Sequence, residues 1–345
     1  MTDSSGLRPI ANAAPQQPPS PGDALPPPAD PAGHLDSGML DGAPAGPATA
    51  THSSLPTGRR LAAATLLVGG AFVISRLLGL VRDLIIAARF GVGDETDTYF
   101  AAFSVPDTLF LLIIGGAVGS AFIPVFSSLM EQKKAAAAWR LTSTMINASV
   151  VLLALGGIVL GLLAPALVGV VVAPHFPPEK QAATVELTRI MLLSPLFLGL
   201  GGWAQGILNA RHRFTLAAFA PIAYNLAIIG GALFLAAPFG VRGLAYGVVL
   251  GAALHFLVQV PGLVRAGMQY QPLHLDVHDE GAAEVARLMP PRIVGQAAFQ
   301  ANLVVMTNIA SSLAAGHFAA LKYANLLMML PHGVLAMSMA TVLFP

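Results

Sequence analysis

The 345-residue sequence contains no cysteine, only two tryptophans and five tyrosines, and just 10% charged residues. Without thiols the chain has no disulfide, no thiolate metal site and no cysteine nucleophile, and it carries no report of its redox compartment. Soluble domains carry about 25% charged residues. The shortage of charge, together with 55% hydrophobic residues and a mean hydropathy of +0.71, therefore points to a membrane protein. A net charge of +1 and a pI near 8.2 offer nothing to nucleic acid, and no basic stripe interleaved with aromatics appears. Alternation of apolar and polar residues with period two is also missing, which argues against a barrel and for a helical bundle.

Residues 1–57 differ from the rest. They are rich in Pro, Ala, Gly, Ser and Asp, as in "PQQPPSPGDALPPPADPAG", and nearly free of β-branched and aromatic residues. Such a segment cannot bury enough apolar surface to offset its ordering entropy, so a disordered cytoplasmic tail is expected. It lacks the charged start, apolar core and cleavage site of a signal peptide, and its proline runs read as a spacer in preference to a ligand.

From residue 58 onward the chain parses into eight long apolar runs, near 61–89, 99–130, 141–173, 184–210, 215–237, 241–265, 285–313 and 317–345. Each is long enough to cross a hydrocarbon core of about 30 Å. The connections "EQKKAAAAWR", "NARHRF" and the stretch from Arg265 to Arg292 are basic, whereas "GVGDETD", "PHFPPEK" and "PFGVR" are not. The positive-inside rule then puts the N-terminus and the even-numbered connections in the cytoplasm. His274, Asp276, His278, Asp279 and Glu280 share one of these loops; a solvated loop explains them better than a metal site, and no metal is expected.

An internal echo follows. "YFAAFSVPDTLFLLIIGGAVGSAFIP" in the second run is matched by "KYANLLMMLPHGVLAMSMATVLFP" in the eighth, with Tyr99 and Tyr323, then Pro106 and Pro331, then a small-residue stretch closing on a hydrophobic-Pro pair. Proline-interrupted helices in corresponding places are the sequence sign of a transporter built from repeats. Six runs then form a first lobe, and the chain is expected to stop two helices into a second.

The first run, "GGAFVISRLLGLVRDLIIAARFG", is interrupted by Arg76, Arg82 and Asp83. A charge at a helix centre costs roughly 2.5–3.5 kcal/mol, while an apolar side chain returns only about 0.3–0.6. Lipid is a poor environment for all three. At 100° per residue Arg76 and Asp83 fall within about 20° of each other, and Arg82 shares a neighbouring stripe with Ser75 and Arg89. One polar wedge is expected, with Arg76 near mid-membrane facing an aqueous cavity. Arg82 and Asp83 lie nearer the outer surface, where Arg82 either joins the wedge or snorkels.

"SRLLGLVRD", "TDTYFAAFSVPD", "GGAVGSAFIPVF", "GILNARHRFTLAAFAP" and "GVLAMSMATVLFP" together resemble the MurJ (MviN) family of bacterial lipid II flippases, within the multidrug/oligosaccharidyl-lipid/polysaccharide exporter superfamily. The resemblance runs from about Arg60 to the last residue. It implies an all-α, polytopic helical bundle: a first six-helix lobe (58–270), an inter-lobe linker (271–284) and the first two helices of a second, pseudo-symmetric lobe (285–345). It also implies carriage of an undecaprenyl-pyrophosphate-linked glycan across the bacterial cytoplasmic membrane by alternating access. No cofactor is implied, and the transport is expected to couple to membrane potential or a cation gradient. Membrane lipids and cell-wall synthesis proteins are the implied partners. The family's first-helix cavity arginines match Arg76 and Arg82, and its acidic positions match Asp83 and Asp97, expected to hold the arginines or to gate the outer mouth.

The chain also departs from the family pattern. Where a basic pair usually follows the second-helix Pro-Asn, it has Phe110 and Leu111, with Gly115 at the nearby acidic position; on the eighth helix Leu326 and Met329 replace an Arg and a Glu, and Asn325 stands for an Asp of some members. Lys322, one turn before Leu326, either supplies the missing cation to bind substrate or snorkels to the outer surface. Three readings follow: a lipid II flippase, a superfamily exporter of another amphiphile, or a non-transporting scaffold for cell-wall enzymes. An enzyme is not expected, because the intramembrane charges include no pairing that would activate a nucleophile, and no residue is assigned as catalytic.

Overall fold

The computed structural model describes residues 57–115, 118–276 and 280–331. Among them are nine helices and no strand: α1 (Thr57–Phe90), α2 (Asp94–Gly115), α3 (118–131), α4 (Ala135–Val172), α5 (Pro178–Ala210), α6 (Phe214–Phe239), α7 (Val241–Arg265), α8 (Glu280–Ala310) and α9 (His317–Pro331). Six of these, α2 and α4 to α8, are by length and composition long and apolar enough to cross a membrane. The chain is a multi-pass membrane helical bundle. The expected tail at 1–56, His278 and Asp279, the side chain of Met329, and the second half of the echo beyond Pro331 lie outside the described residues.

Among the helices that start five or six residues earlier than hydropathy suggests are α2 at Asp94 and α5 at Pro178. Both open with acidic first turns, Asp94, Glu95 and Asp97 in one and Glu179 in the other. Carboxylates suit the positive end of a helix dipole, and a polar turn outside the lipid leaves no apolar signal. The expected run 99–130 is divided between α2 and α3, with π-helical turns at Leu111–Gly115 and Val118–Phe122. Similarly, α8 begins at Glu280, inside the expected linker.

Helices α2 to α7 surround a core in which Phe122 meets Trp203, and Phe126 meets Trp139, edge to face, while Leu155, Ile158 and Leu162 on α4 are exposed. The closest approach is between α6 and α7. Gly243, Gly247 and Gly251 repeat at four-residue spacing on α7, and a Cβ on Gly231 of α6 would lie 2.8 Å from the Gly247 Cα. Small residues at this spacing let backbones touch, which supplies packing energy where lipid gives no hydrophobic drive. Gly247→Leu should therefore cost about 1–3 kcal/mol by overpacking. Thermal unfolding in detergent should show a lowered midpoint, and an unchanged midpoint would contradict the backbone contact.

Prolines inside the helices have specific partners. Pro106 frees the carbonyl of Ala102, to which the Thr188 hydroxyl of α5 donates at 3.4 Å. Pro165 frees the carbonyl of Gly161, to which Arg189 Nε donates at 3.0 Å. In lipid a freed carbonyl needs such a donor. The segment after α7 is likewise tied down: Asn147 of α4 donates to the carbonyls of Gln271 (3.1 Å) and His274 (2.9 Å), and the Tyr270 hydroxyl donates to Asn147 Oδ1 at 2.6 Å. The expected solvated loop is thus a strap along α4, although His274 and Asp276 still gather no metal-binding cluster among the described residues.

Candidate functional site

The polar wedge of α1 is distributed across its packing face. Asp83 is 5% exposed, Arg82 Nε donates to its Oδ1 at 2.8 Å, and Arg82 Nη1 donates to Asn225 Oδ1 of α6 at 3.1 Å. The Asn225 amide in turn donates to the carbonyls of Ser75 (3.3 Å) and Pro221 (3.1 Å). Arg82 is therefore turned into the α1–α6 contact and does not snorkel. Arg76 departs from the expected common stripe: it is exposed on α1, at the margin of a contact that closes over Ser75, Arg82 and Asp83. Sequence reasoning missed Asn225, whose only signal was a polar amide within an apolar run.

A second cluster joins the starts of α2, α5 and α9. Asp97 is 1% exposed; its Oδ1 accepts from the Ala319 N–H and its Oδ2 from the Gly316 N–H, both at 2.8 Å. Lys180 of α5 donates to Asp97 Oδ2 and to Asp94 Oδ1, again at 2.8 Å each, and its ammonium lies 3.9 Å from the Phe176 ring centroid. Asp97 thus caps the first turn of α9 from another helix, where the free N–H groups and the positive dipole end favour an anion. The partner of Asp97 is Lys180, not one of the arginines expected from sequence. Gly316 is required here: its φ is +86°, and a Cβ would lie 2.6 Å from the Val92 carbonyl oxygen. The α8–α9 hairpin is docked further by Asn308 donating to the Val171 carbonyl at 2.9 Å and by a 3.2 Å contact between His175 Nδ1 and Ser311 Oγ. The acidic connection "GVGDETD" needs a counter-charge, and Lys180 in "PHFPPEK" was the sequence clue.

The third cluster lies deeper. Lys322 of α9 shares a cavity of about 70 Å³ with Ser104, Asp107 and Leu111 of α2 and with Gln300 and Thr307 of α8. Asp107 lies ten residues beyond Asp97 along α2, about 15 Å at 1.5 Å per residue, so Lys322 meets the middle of α2 and not its first turn. Gln300 is 5% exposed and donates through Nε2 to Thr108 Oγ1 at 3.2 Å, while Gln300 Oε1 and Ser104 Oγ have no hydrogen-bond partner among the described residues. Unspent acceptors in a polar cavity with room for about two waters are poised for a donor. Leu111, where the resemblance expects a base, faces the same space that Lys322 enters. Asp107 was missed: it sits in "SVPD", where the family pattern has Pro-Asn.

Both members of the internal echo meet here. Phe100 of α2 packs edge-on against Tyr323 of α9 at 5.3 Å between ring centroids, and also touches Tyr99, the echo counterpart of Tyr323.

The family model for "Lipid II flippase MurJ" matches residues 86–345. The chain belongs to the MurJ family. It is 34% identical over 290 residues to the lipid II flippase MurJ of Burkholderia cenocepacia, covering 82% of this chain and 56% of that protein. It is 32% identical over 276 residues to the probable lipid II flippase MurJ of Buchnera aphidicola subsp. Acyrthosiphon pisum, covering 79% and 54%. The chain spans about half the length of these curated MurJ relatives. Among solved structures, "Lipid II flippase MurJ, inward closed conformation" superposes with a TM-score of 0.67 at 27% identity, over 80% of this chain and 57% of that one. The Vibrio cholerae MATE transporter VcmN in its bent form shares the fold, with a TM-score of 0.54 at 17% identity, over 78% of this chain and 62% of that one.

Proposed function

We propose that the protein moves a lipid-linked glycan carrying a pyrophosphate, lipid II in the first place, from the cytoplasmic to the outer leaflet of the bacterial inner membrane by alternating access. The observation that carries this reading is the Lys322 cavity, which brings a cation and spare hydrogen-bonding atoms to the meeting of α2, α8 and α9 in a MurJ-family chain. A pyrophosphate-sugar headgroup cannot cross hydrocarbon unpaired, and Arg76, Arg82 and Lys322 are the residues proposed to receive it, at successive depths. Arginine keeps its charge and offers a planar fork to phosphate oxygens. Asp97 with Lys180 is the proposed outer latch, holding the second-lobe helices against the first lobe. Asp83 is proposed to hold Arg82 ready while the path is empty.

In this reading the N-terminus and the basic connections are cytoplasmic, and membrane potential or a cation gradient drives the cycle. The division at 58–270, 271–284 and 285–345 then separates the two moving bodies. Enzymes that make and consume the lipid-linked glycan are its proposed neighbours, and the protein itself transports without catalysis.

Asp107 favours a second reading, an exporter of a less anionic amphiphile, because a carboxylate beside Lys322 neutralises part of the field a pyrophosphate needs. A bacterium depleted of its own lipid II flippase tests both. The full-length protein should restore growth and cell shape, and its Arg76→Ala variant should not. Failure to rescue at matched membrane abundance would move the assignment to the second reading.

A further inference from the structure

A cavity of about 320 Å³ lies away from all three clusters, at the end of the bundle where α5 stops at Ala210, α6 starts at Phe214 and α7 stops at Arg265. Arg213, Arg265, His212 and Thr215 line it on the polar side, and Leu208 and Leu216 on the apolar side. Three membrane-crossing helices end there, which sets the cavity at the level of lipid headgroups. The side chains of Arg213 and Arg265 make no ion pair or hydrogen bond among the described residues. Both arginines are exposed, and two guanidinium groups beside one cavity, without a protein anion, can hold a phosphate between them.

We propose that this cavity is a binding site for the headgroup of an anionic phospholipid, with the phosphodiester between Arg213 and Arg265 and the acyl chains leaving past Leu208 and Leu216. The first turn of α6 forms one wall and has no side-chain cap, so its free N–H groups add to the same preference. Space for about ten waters, at roughly 30 Å³ each, accommodates a phosphoglycerol group. Basic pockets between membrane helices at such an end bind headgroups of this kind. A zwitterionic choline headgroup brings its own cation to the two arginines and fits less well. The bound lipid would tie the 211–213 turn to the end of α7 and stiffen this end of the bundle.

The test is the thermal unfolding midpoint of the purified full-length protein in neutral detergent, titrated separately with dioleoyl-phosphatidylglycerol, dioleoyl-phosphatidylcholine and inorganic phosphate. Phosphatidylglycerol should raise the midpoint saturably, with little response to the other two. Arg213→Gln with Arg265→Gln should need at least about ten-fold more phosphatidylglycerol for the same rise, since two charge-assisted contacts are lost. Arg265→Gln alone should fall between the two, and the charge-matched pair Lys134→Gln with Arg140→Gln at the start of α4 should titrate as the parent does. A parental response in the Arg213/Arg265 variant would overturn the site. An equal loss in the Lys134/Arg140 variant would reduce it to diffuse attraction, and full protection by phosphate alone would reassign it to a soluble anion.

Discussion

Asp97→Asn should undock the α8–α9 hairpin from the first turns of α2 and α5 and, with it, remove most of the proposed transport. The carboxylate holds two backbone N–H groups of α9 and the ammonium of Lys180 at once, and it is buried. An asparagine keeps one acceptor, but its amide presents donors to an ammonium and an N–H that need acceptors, and Lys180 retains only the exposed Asp94. Removing one partner from a buried charge pair costs about 3–5 kcal/mol. At 1.4 kcal/mol per factor of ten, that raises the population of the undocked hairpin by more than about a hundred-fold. The sequence has no cysteine, so one introduced thiol reports cleanly. Ser311→Cys replaces a 3%-exposed side chain of the hairpin with one of nearly the same shape. A membrane-impermeant maleimide should label it slowly in the parent and at least about ten-fold faster with Asp97→Asn. Equal labelling rates would mean that Asp97 is not the latch.

The second large effect concerns the substitute cation. If Lys322 receives the phosphate group, Lys322→Ala should reduce flipping about as severely as Arg76→Ala, because each removes a charge-assisted contact worth roughly 1.5–3 kcal/mol, or about ten- to hundred-fold in rate. Leu326→Arg added to Lys322→Ala should restore much of the loss, since it returns a cation to the same helical face one turn along. Asp107→Asn separates the two functional readings. For a pyrophosphate substrate it should tighten binding by freeing Lys322, and for a less anionic amphiphile it should not. Flipping in reconstituted vesicles, with matched protein amounts, checks all of these. Parental transport by Lys322→Ala alongside a failing Arg76→Ala would remove Lys322 from the substrate path.

Much of the fold was legible because apolar run length is a local property. The helices α6 and α7 fall within a few residues of the expected runs, and MurJ membership was readable from motifs kept in order along the chain. What escaped were relations between distant residues. Lys180 and Asp97 are 83 positions apart, and the N–H groups that Asp97 caps are 219 and 222 positions away; no periodicity links them. The early starts of α2 and α5 escaped because a polar first turn looks like a loop to any hydropathy measure. Arg76, Arg82 and Asp83 stood out as costly charges in an apolar run, but the helix wheel alone assigned them to one wedge. Packing against Asn225 of α6 divides them into a paired, turned-in Arg82 with Asp83 and an exposed Arg76. Asp107 was hidden by its ordinary place after a proline, and it gains meaning only once α9 brings Lys322 to the same cavity.

The most direct test of the proposed activity compares two lipids in vesicles containing the full-length protein: a polyprenyl-pyrophosphate disaccharide, and the same disaccharide joined to the polyprenol without phosphate. Movement between leaflets is read by access of an added enzyme or quencher to the sugar. Cations at Arg76, Arg82 and Lys322 predict rapid, protein-dependent movement of the pyrophosphate lipid and near-background movement of the other, with the difference lost in Arg76→Ala. Equal movement of the two lipids, or selectivity unchanged by Arg76→Ala, would contradict phosphate recognition by these residues.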